Sequence, residues 1–154
     1  MSDSLKYAVV EHERRYLVAR LPEGVTSTDE IIDRYVTGTR LRLREVREAD
    51  GTVIRKLGHK VRLSQGPAKV ASTNFYLDDR EWAALESLPA LIVRKKRHRV
   101  HRDGVVVVID EHEDGTLVAE IDDRDQPVQP VPDWLEVMED VTDDERWTGG
   151  QLAR

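Results

Sequence analysis

The chain has no cysteine, which excludes disulfides and thiolate metal sites. It has no apolar run long enough to span a bilayer as a helix. No GxxxxGK[ST] or GxGxxG loop occurs, so backbone N–H groups of a glycine loop are not there to cradle phosphate. HExxH is absent, and Ser64, Ser72 and Ser87 lack the context of a nucleophile elbow. The first residues, MSDSLKYAVV, carry no basic region, apolar stretch and cleavage site of a leader, so a cytoplasmic location is expected. Basic residues are not in excess. Lys and Arg number 24 against 30 Asp and Glu, a net charge of -6, which argues against a general nucleic-acid binder. The 154 residues are expected to form one domain, 1–154, with a proper core.

What the chain does have is charge at every second position. In VVEHERRYLV (9–18), Glu11, Glu13 and Arg15 alternate within a stretch that reads as a strand, so the three share a face. A dry core cannot accept unpaired charge. The face is therefore either plain solvent or the lining of a polar cavity. The pattern recurs at Arg42 and Arg44, at Lys95 and Arg97, and at Glu120 and Asp122. Several strands with one charged and one apolar face suggest a barrel whose interior is the wet side.

The elements follow from turns and periodicity. Strands are expected over 5–19, 31–38, 39–46, 52–64, 70–77, 91–102, 105–113 and 116–123. Turns fall near Gly38, at EADG (48–51), Asp103-Gly104 and Asp114-Gly115, and LPEGVTSTD reads as a loop. Asp78 and Asp79 suit the start of a helix, DREWAALESL, whose Trp82, Leu85 and Leu88 would cover an apolar sheet face. Residues 126–133 read as proline-rich loop, with a short helical piece near Trp134 and a last helix over 143–153. The fold class is α+β, mainly β: a closed eight-stranded antiparallel barrel with covering helices.

A solvated face is the plain reading of any one charged strand. The paired bases count against it, because Arg42 with Arg44 and Lys95 with Arg97 repel unless an anion lies between them. An empty tunnel of this kind is expected to be strained. Gathered carboxylates beside gathered Arg and Lys suit a hard divalent cation with a polyphosphate. His98 and His101, with His112, do not share one strand face and read as surface residues rather than zinc ligands. Lys56 and Lys60 share a face with Gly58, and either is placed to meet a ligand. Trp82 and Trp134 read as core anchors.

At these motifs the sequence resembles the CYTH superfamily, the triphosphate tunnel metalloenzymes, over nearly its whole length. EHERRYLV stands where that family has ExExK, with Arg15 in place of lysine. LRLRE, KLGHKVRL, VRKKRH, VVVIDEHEDGTLVAEID and EDVTDDERWTGGQLA are similar to its further motifs in order. The resemblance implies an eight-stranded tunnel lined by charge. It implies Glu11, Glu13, Asp110, Glu120 and Asp122 as ligands of Mg²⁺ or Mn²⁺, with Glu11, Glu13, Glu120 and Asp122 in catalysis. It implies Arg15, Arg42, Arg44, Lys60, Lys95, Arg97 and Arg146 as the grip on a triphosphate. The sequence departs at Ser72 and Asn74, where many members carry a second glutamate pair, and Asp122 is a carbon shorter than the usual glutamate.

The expected activity is metal-dependent hydrolysis of a triphosphate, inorganic tripolyphosphate first and nucleoside or thiamine triphosphates as alternatives. Adenylate cyclisation, which uses the same grip with a ribose hydroxyl as nucleophile, is a rival. A non-catalytic polyphosphate-binding module is another. The expected partner is a triphosphate-containing small molecule, with no nucleic acid or membrane, and the protein a monomer or homodimer.

Overall fold

Alternation of β-branched and charged residues builds nine strands in the computed structural model, which describes residues 5–154. The first four residues of the segment read for a leader lie outside the described residues. The strands are β1 (Val9–Val18), β2 (Val25–Val36), β3 (Leu41–Arg47), β4 (Val53–Arg62), β5 (Lys69–Tyr76), β6 (Ala90–Arg102), β7 (Val105–His112), β8 (Leu117–Asp122) and β9 (Val137–Asp140). They follow the order β5-β4-β3-β2-β6-β7-β8-β1-β9, and β5 also pairs with β1. That last pairing, Val9 with Ser72 through His12 with Lys69, closes eight strands into an antiparallel barrel. No helix among the described residues is long and apolar enough to cross a membrane.

β1 is shared between two neighbours on one edge. Its first half meets β5, and Tyr16–Val18 meets β9. Its other edge pairs with β8, Glu13 opposite Asp122 and Arg15 opposite Glu120. Glu11, Glu13, Arg15, Arg42, Arg44, Lys95, Arg97 and Glu120 face inward, and the two apolar core clusters pack on the outside of the barrel wall. One apolar cluster (Tyr16, Val18, Val100, Val107, Ile109, Ala119, Ile121) is covered by Leu135, with Val131 and Trp134 packed on it. The second (Val36, Leu43, Trp82) lies under α1 (Asp79–Glu86). Asp78 caps α1 in a full capping box with Glu81, a contribution of about 1 kcal/mol.

Three expectations are corrected. The stretch read as loop is strand from Val25 onward; Gly24, at a φ of 85°, ends the turn, and Thr26 and Thr28 are β-branched residues that favour the sheet. No helix forms near Trp134, and β9 follows it instead. The last helix is broken into a 3-10 turn (Glu145–Trp147) and a single helical turn, α2 (Gly149–Leu152), because Gly149 and Gly150 are poor helix formers. This C-terminal segment crosses one end of the barrel. Glu145 pairs with Arg62 of β4, Gly149 lies against the Tyr35 hydroxyl of β2, and Arg154 exchanges backbone hydrogen bonds with Ile92 of β6.

Candidate active site in the barrel

The inward faces enclose a cavity of about 240 Å³ lined by Glu11, Glu13, Arg15, Tyr35, Arg42, Arg44, Lys56, Lys60, Ser72, Asn74, Lys95, Arg97, Glu120 and Gly149. A larger groove, about 430 Å³, crosses the outer face of β3, β2, β6 and β7. Across its strands Arg47, Glu30, Lys96 and Glu111 stand in register with alternating sign, so it favours no ligand of one sign. The chemistry is inside the barrel.

The structure brings ten of the residues singled out in the sequence to this cavity: Glu11, Glu13, Arg15, Arg42, Arg44, Lys60, Lys95, Arg97, Glu120 and, with Lys60, Lys56. Asp110 lies just behind the lining. It is 2% exposed and accepts from Arg97 Nε and Nη2 at 2.8 and 2.9 Å and from Lys95 Nζ at 2.8 Å. Asp122 and Arg146 are not among the lining residues. Asp122 Oδ1 accepts the backbone N–H groups of His12 and Arg124 at 3.2 and 2.9 Å. Arg146 points to solvent and is held by Asp144, Nη2 to Oδ2 at 2.6 Å.

The sequence reading missed Asp33. Its carboxylate is completely buried and accepts from Arg44 Nε and Nη2 at 2.7 and 2.8 Å. Arg42 Nε and Lys95 Nζ each stand 3.8 Å from it. The expectation of strained, anion-free basic pairs is therefore corrected: Asp33 lies among Arg42, Arg44 and Lys95, and Asp110 between Lys95 and Arg97. Burial alone would raise the Asp33 pKa, but the charge and hydrogen bonds of Arg44 hold it well below the usual carboxylate range. Burial opposes Lys95 and Arg97 at Asp110 in the same way, with the same outcome. Burial lowers the pKa of Lys95, against the pull of Asp110. Burial pushes the Tyr35 phenol up to about 12, so it stays a neutral hydroxyl.

The histidine expectation is corrected too. His98 is buried, not on the surface, bridging Thr28 Oγ1 and Glu111 Oε2 at 2.8 Å each.

The bases are not all satisfied. Among the described residues, Arg15 Nη1, Arg34 Nε and Arg42 Nε are buried nitrogens without a hydrogen-bond partner. Two of these belong to cavity-lining side chains, and Arg42 Nε is too far from Asp33 at 3.8 Å to be satisfied by it. Arg44 and Arg97 each spend Nε and Nη2 on a carboxylate, leaving Nη1 available from the rigid fork. Seven cations (Arg15, Arg42, Arg44, Lys56, Lys60, Lys95, Arg97) face five carboxylates (Glu11, Glu13, Glu120, Asp33, Asp110), an excess of two positive charges.

The acidic donors gather on β1 and β8. Glu13 accepts from Arg15 Nη2 at 2.6 Å, Glu11 from Lys60 Nζ at 3.2 Å, and Glu120 from Arg15 Nε at 3.4 Å. Among the described residues no group of three or more such side chains is arranged as a formed metal site. By chemistry the set of three carboxylates, with the Ser72 and Asn74 oxygens in the same cavity, fits a hard cation such as Mg²⁺ or Mn²⁺.

No family model and no curated protein matches the chain. Solved structures do. Two structures of NE1496 superpose on it, one described as an inorganic triphosphatase (TM-score 0.60, 21% identity, 93% of each chain). The other is described as a hypothetical protein (TM-score 0.57, 24% identity, 93% of this chain and 96% of that one). A conserved hypothetical protein from Pyrococcus furiosus matches at a TM-score of 0.57 and 18% identity, over 79% of this chain and 81% of that one. With the barrel closed through β1 and β5, the fold of this chain is the closed eight-stranded tunnel shared with the inorganic triphosphatase NE1496.

Proposed function

We propose that the barrel cavity binds a linear triphosphate and hydrolyses its terminal phosphoanhydride with Mg²⁺ or Mn²⁺, inorganic tripolyphosphate being the favoured substrate. The observation that carries this reading is the pair of buried, unpartnered guanidinium nitrogens, Arg15 Nη1 and Arg42 Nε. Buried donors left open are costly, and an anion with many acceptor oxygens satisfies them. The volume supports a bare phosphate chain: 240 Å³ is below the roughly 300–1,000 Å³ of sites that enclose a drug-sized organic ligand. The likeness to NE1496, described as an inorganic triphosphatase, points the same way.

In this reading Arg44 and Arg97, locked by Asp33 and Asp110, present fixed N–H groups to phosphoryl oxygens. Arg15, Arg42, Lys56, Lys60 and Lys95 complete the grip, and the fixed positive field favours the charge that develops as the bond breaks. Glu11, Glu13 and Glu120 would hold the cation, which supplies charge neutralisation and a more acidic water. Water attacks the terminal phosphorus, the bridging P–O bond breaks, and phosphate and pyrophosphate leave. Glu120, held by one long bond to Arg15, is placed to take the water's proton.

Phosphate release from tripolyphosphate, with Mg²⁺, with Mn²⁺ and with chelator, tests this. Release with either metal, lost on Arg42→Gln, is expected. The second reading, a non-catalytic polyphosphate-binding module, is favoured by Ser72 and Asn74, which cannot supply charge. Tight tripolyphosphate binding with no release under either metal would decide for it and against hydrolysis.

A further inference from the structure

Outside the barrel, the groove on β3, β2, β6 and β7 is bare sheet between two covered patches. Trp82 of α1 covers Val36 and Leu43 on the β2–β3 side, and Leu135 covers Val100, Val107 and Ile109 on the β6–β7 side. Val36 ends β2, and Val100 lies near the end of β6, which runs antiparallel to β2. The two covers therefore stand at diagonally opposite corners of the face. Across its middle runs the row Arg47, Glu30, Lys96 and Glu111, one residue from each strand. Arg47, Glu30 and Lys96 are exposed and Glu111 partly so. Glu30 and Lys96 are cross-strand neighbours, yet among the described residues neither makes an ion pair within 4.0 Å, so both charged heads are open to a partner.

We propose that this face is the interface of a homodimer, with a second copy of this chain as its occupant. The argument is charge complementarity. A row of alternating sign reverses under a two-fold axis that runs along the strands between β2 and β6, and so meets its own complement. Glu30 then faces the partner's Lys96 and Lys96 the partner's Glu30, while Arg47 and Glu111 exchange in the same way. The row sums to zero, so a partner of uniform charge gains nothing from it. The same axis sets each cover against a corner that the other copy leaves bare, and the ridges do not collide. In the next row of the groove Glu45 meets the partner's Glu113, but Glu45 is already neutralised by Arg55 at 3.4 Å and Arg47 at 3.9 Å. The outer wall of a barrel is convex, which confines the contact to the central strands, and a small interface of this kind exchanges with monomer.

The test is sedimentation velocity over a range of concentrations, at low and high salt, on the wild type, Glu30→Lys, Lys96→Glu and the double variant. Both positions are exposed on the outer face, away from the cavity. The wild type is expected to dimerise, and less so at high salt, because exposed charges are screened. Each single variant sets like charges face to face at two symmetric places and should weaken the dimer about tenfold or more. The double variant restores opposite charges and should dimerise as the wild type does. The decisive arm is an equal mixture of the two single variants. In their heterodimer every swapped charge meets its opposite, so the mixture should give dimer at concentrations where neither variant alone does. A wild type that stays monomeric at every concentration overturns the proposal. Single variants that dimerise like the wild type, or a mixture that gives no heterodimer, overturn it too.

Discussion

Replacing Arg44 by alanine separates a structural ion pair from a ligand grip. Arg44 gives Asp33 two hydrogen bonds, at 2.7 and 2.8 Å, and Asp33 has no exposure at all. Removing one partner of a buried pair costs about 3–5 kcal/mol, because a buried charge is left uncompensated. Here Arg42 and Lys95 remain at 3.8 Å and offset part of that, so the low end, about 3 kcal/mol, is expected. For a chain of this size each kcal/mol moves Tm by about 2–4 °C, so the empty variant should melt about 6–12 °C below wild type. Arg80→Ala, on the exposed face of α1, should stay within about 0.5 kcal/mol. With tripolyphosphate at a hundredfold excess over Kd the wild type should gain about 2.7 kcal/mol, and Arg44→Ala less, because its free Nη1 edge has gone. Thermal shift with and without ligand reads both effects. An empty Arg44→Ala protein that melts at or above the wild-type temperature would refute the reasoning: repulsion among the bases would then outweigh the hold on Asp33.

The other expectations are simpler. Chelator should abolish phosphate release and Mg²⁺ or Mn²⁺ restore it, with Ca²⁺ inhibiting because its looser coordination suits the phosphate chain poorly; full turnover in chelator would remove the metal from the scheme. Glu13→Gln should lower kcat about a hundredfold or more in a folded protein, since the amide oxygen still accepts from Arg15, now 2.6 Å from the carboxylate. Asp33 and Asp110 titrate below the ordinary carboxylate range when folded, so their stabilisation is whole above about pH 4 and is lost as pH falls toward the folded values. Denaturant titrations should give a steep acid limb in the wild type and a shallower one in Asp33→Asn. Gly149→Ala would drive a methyl group into the Tyr35 hydroxyl; protease should then cut the 141–154 segment faster than in the wild type, and equal cutting would mean the segment is not seated there.

The barrel was legible because period-two charge is hard to place otherwise. Glu11, Glu13 and Arg15 on one strand and Arg42 and Arg44 on another define one wet face, and the structure puts them in one cavity. Asp33 escaped for a local reason. It sits between Ile31 and Tyr35 on the inward face, flanked by apolar neighbours, and nothing in IIDRYV tells that three cations converge on it from β3 and β6. Only the register, Asp33 opposite Arg44 and Val93, does so. Asp122 and Arg146 carried the motif but not the position. Asp122 ends β8, where it accepts the backbone N–H of Arg124 in the following turn, at a φ of 51°, and that of His12 on β1. Arg146 is captured by Asp144, two residues earlier. β9 is exposed at all four residues and has no apolar period; its pairing with β1 alone makes it a strand.

The pairing of β1 with β8 and β9 also sets the order in which the molecule can assemble. Glu13 and Arg15 are synthesised early, yet their strand partners Asp122 and Glu120 are separated from Arg15 by 105 residues at the Arg15–Glu120 bond, and β9 follows later still. While the ribosome extends the chain, β2 through β7 can pair with neighbours close in sequence, apart from the β2–β6 crossover. The first half of β1 can pair with β5 once that strand is made, but its β8 edge and the stretch that meets β9 stay open until the last strands are synthesised. Loop-closure entropy delays such distant pairings, and an open edge recruits other chains. The charged alternation that serves the cavity therefore has an earlier duty: a waiting strand rich in Glu and Arg is a poor template for aggregation.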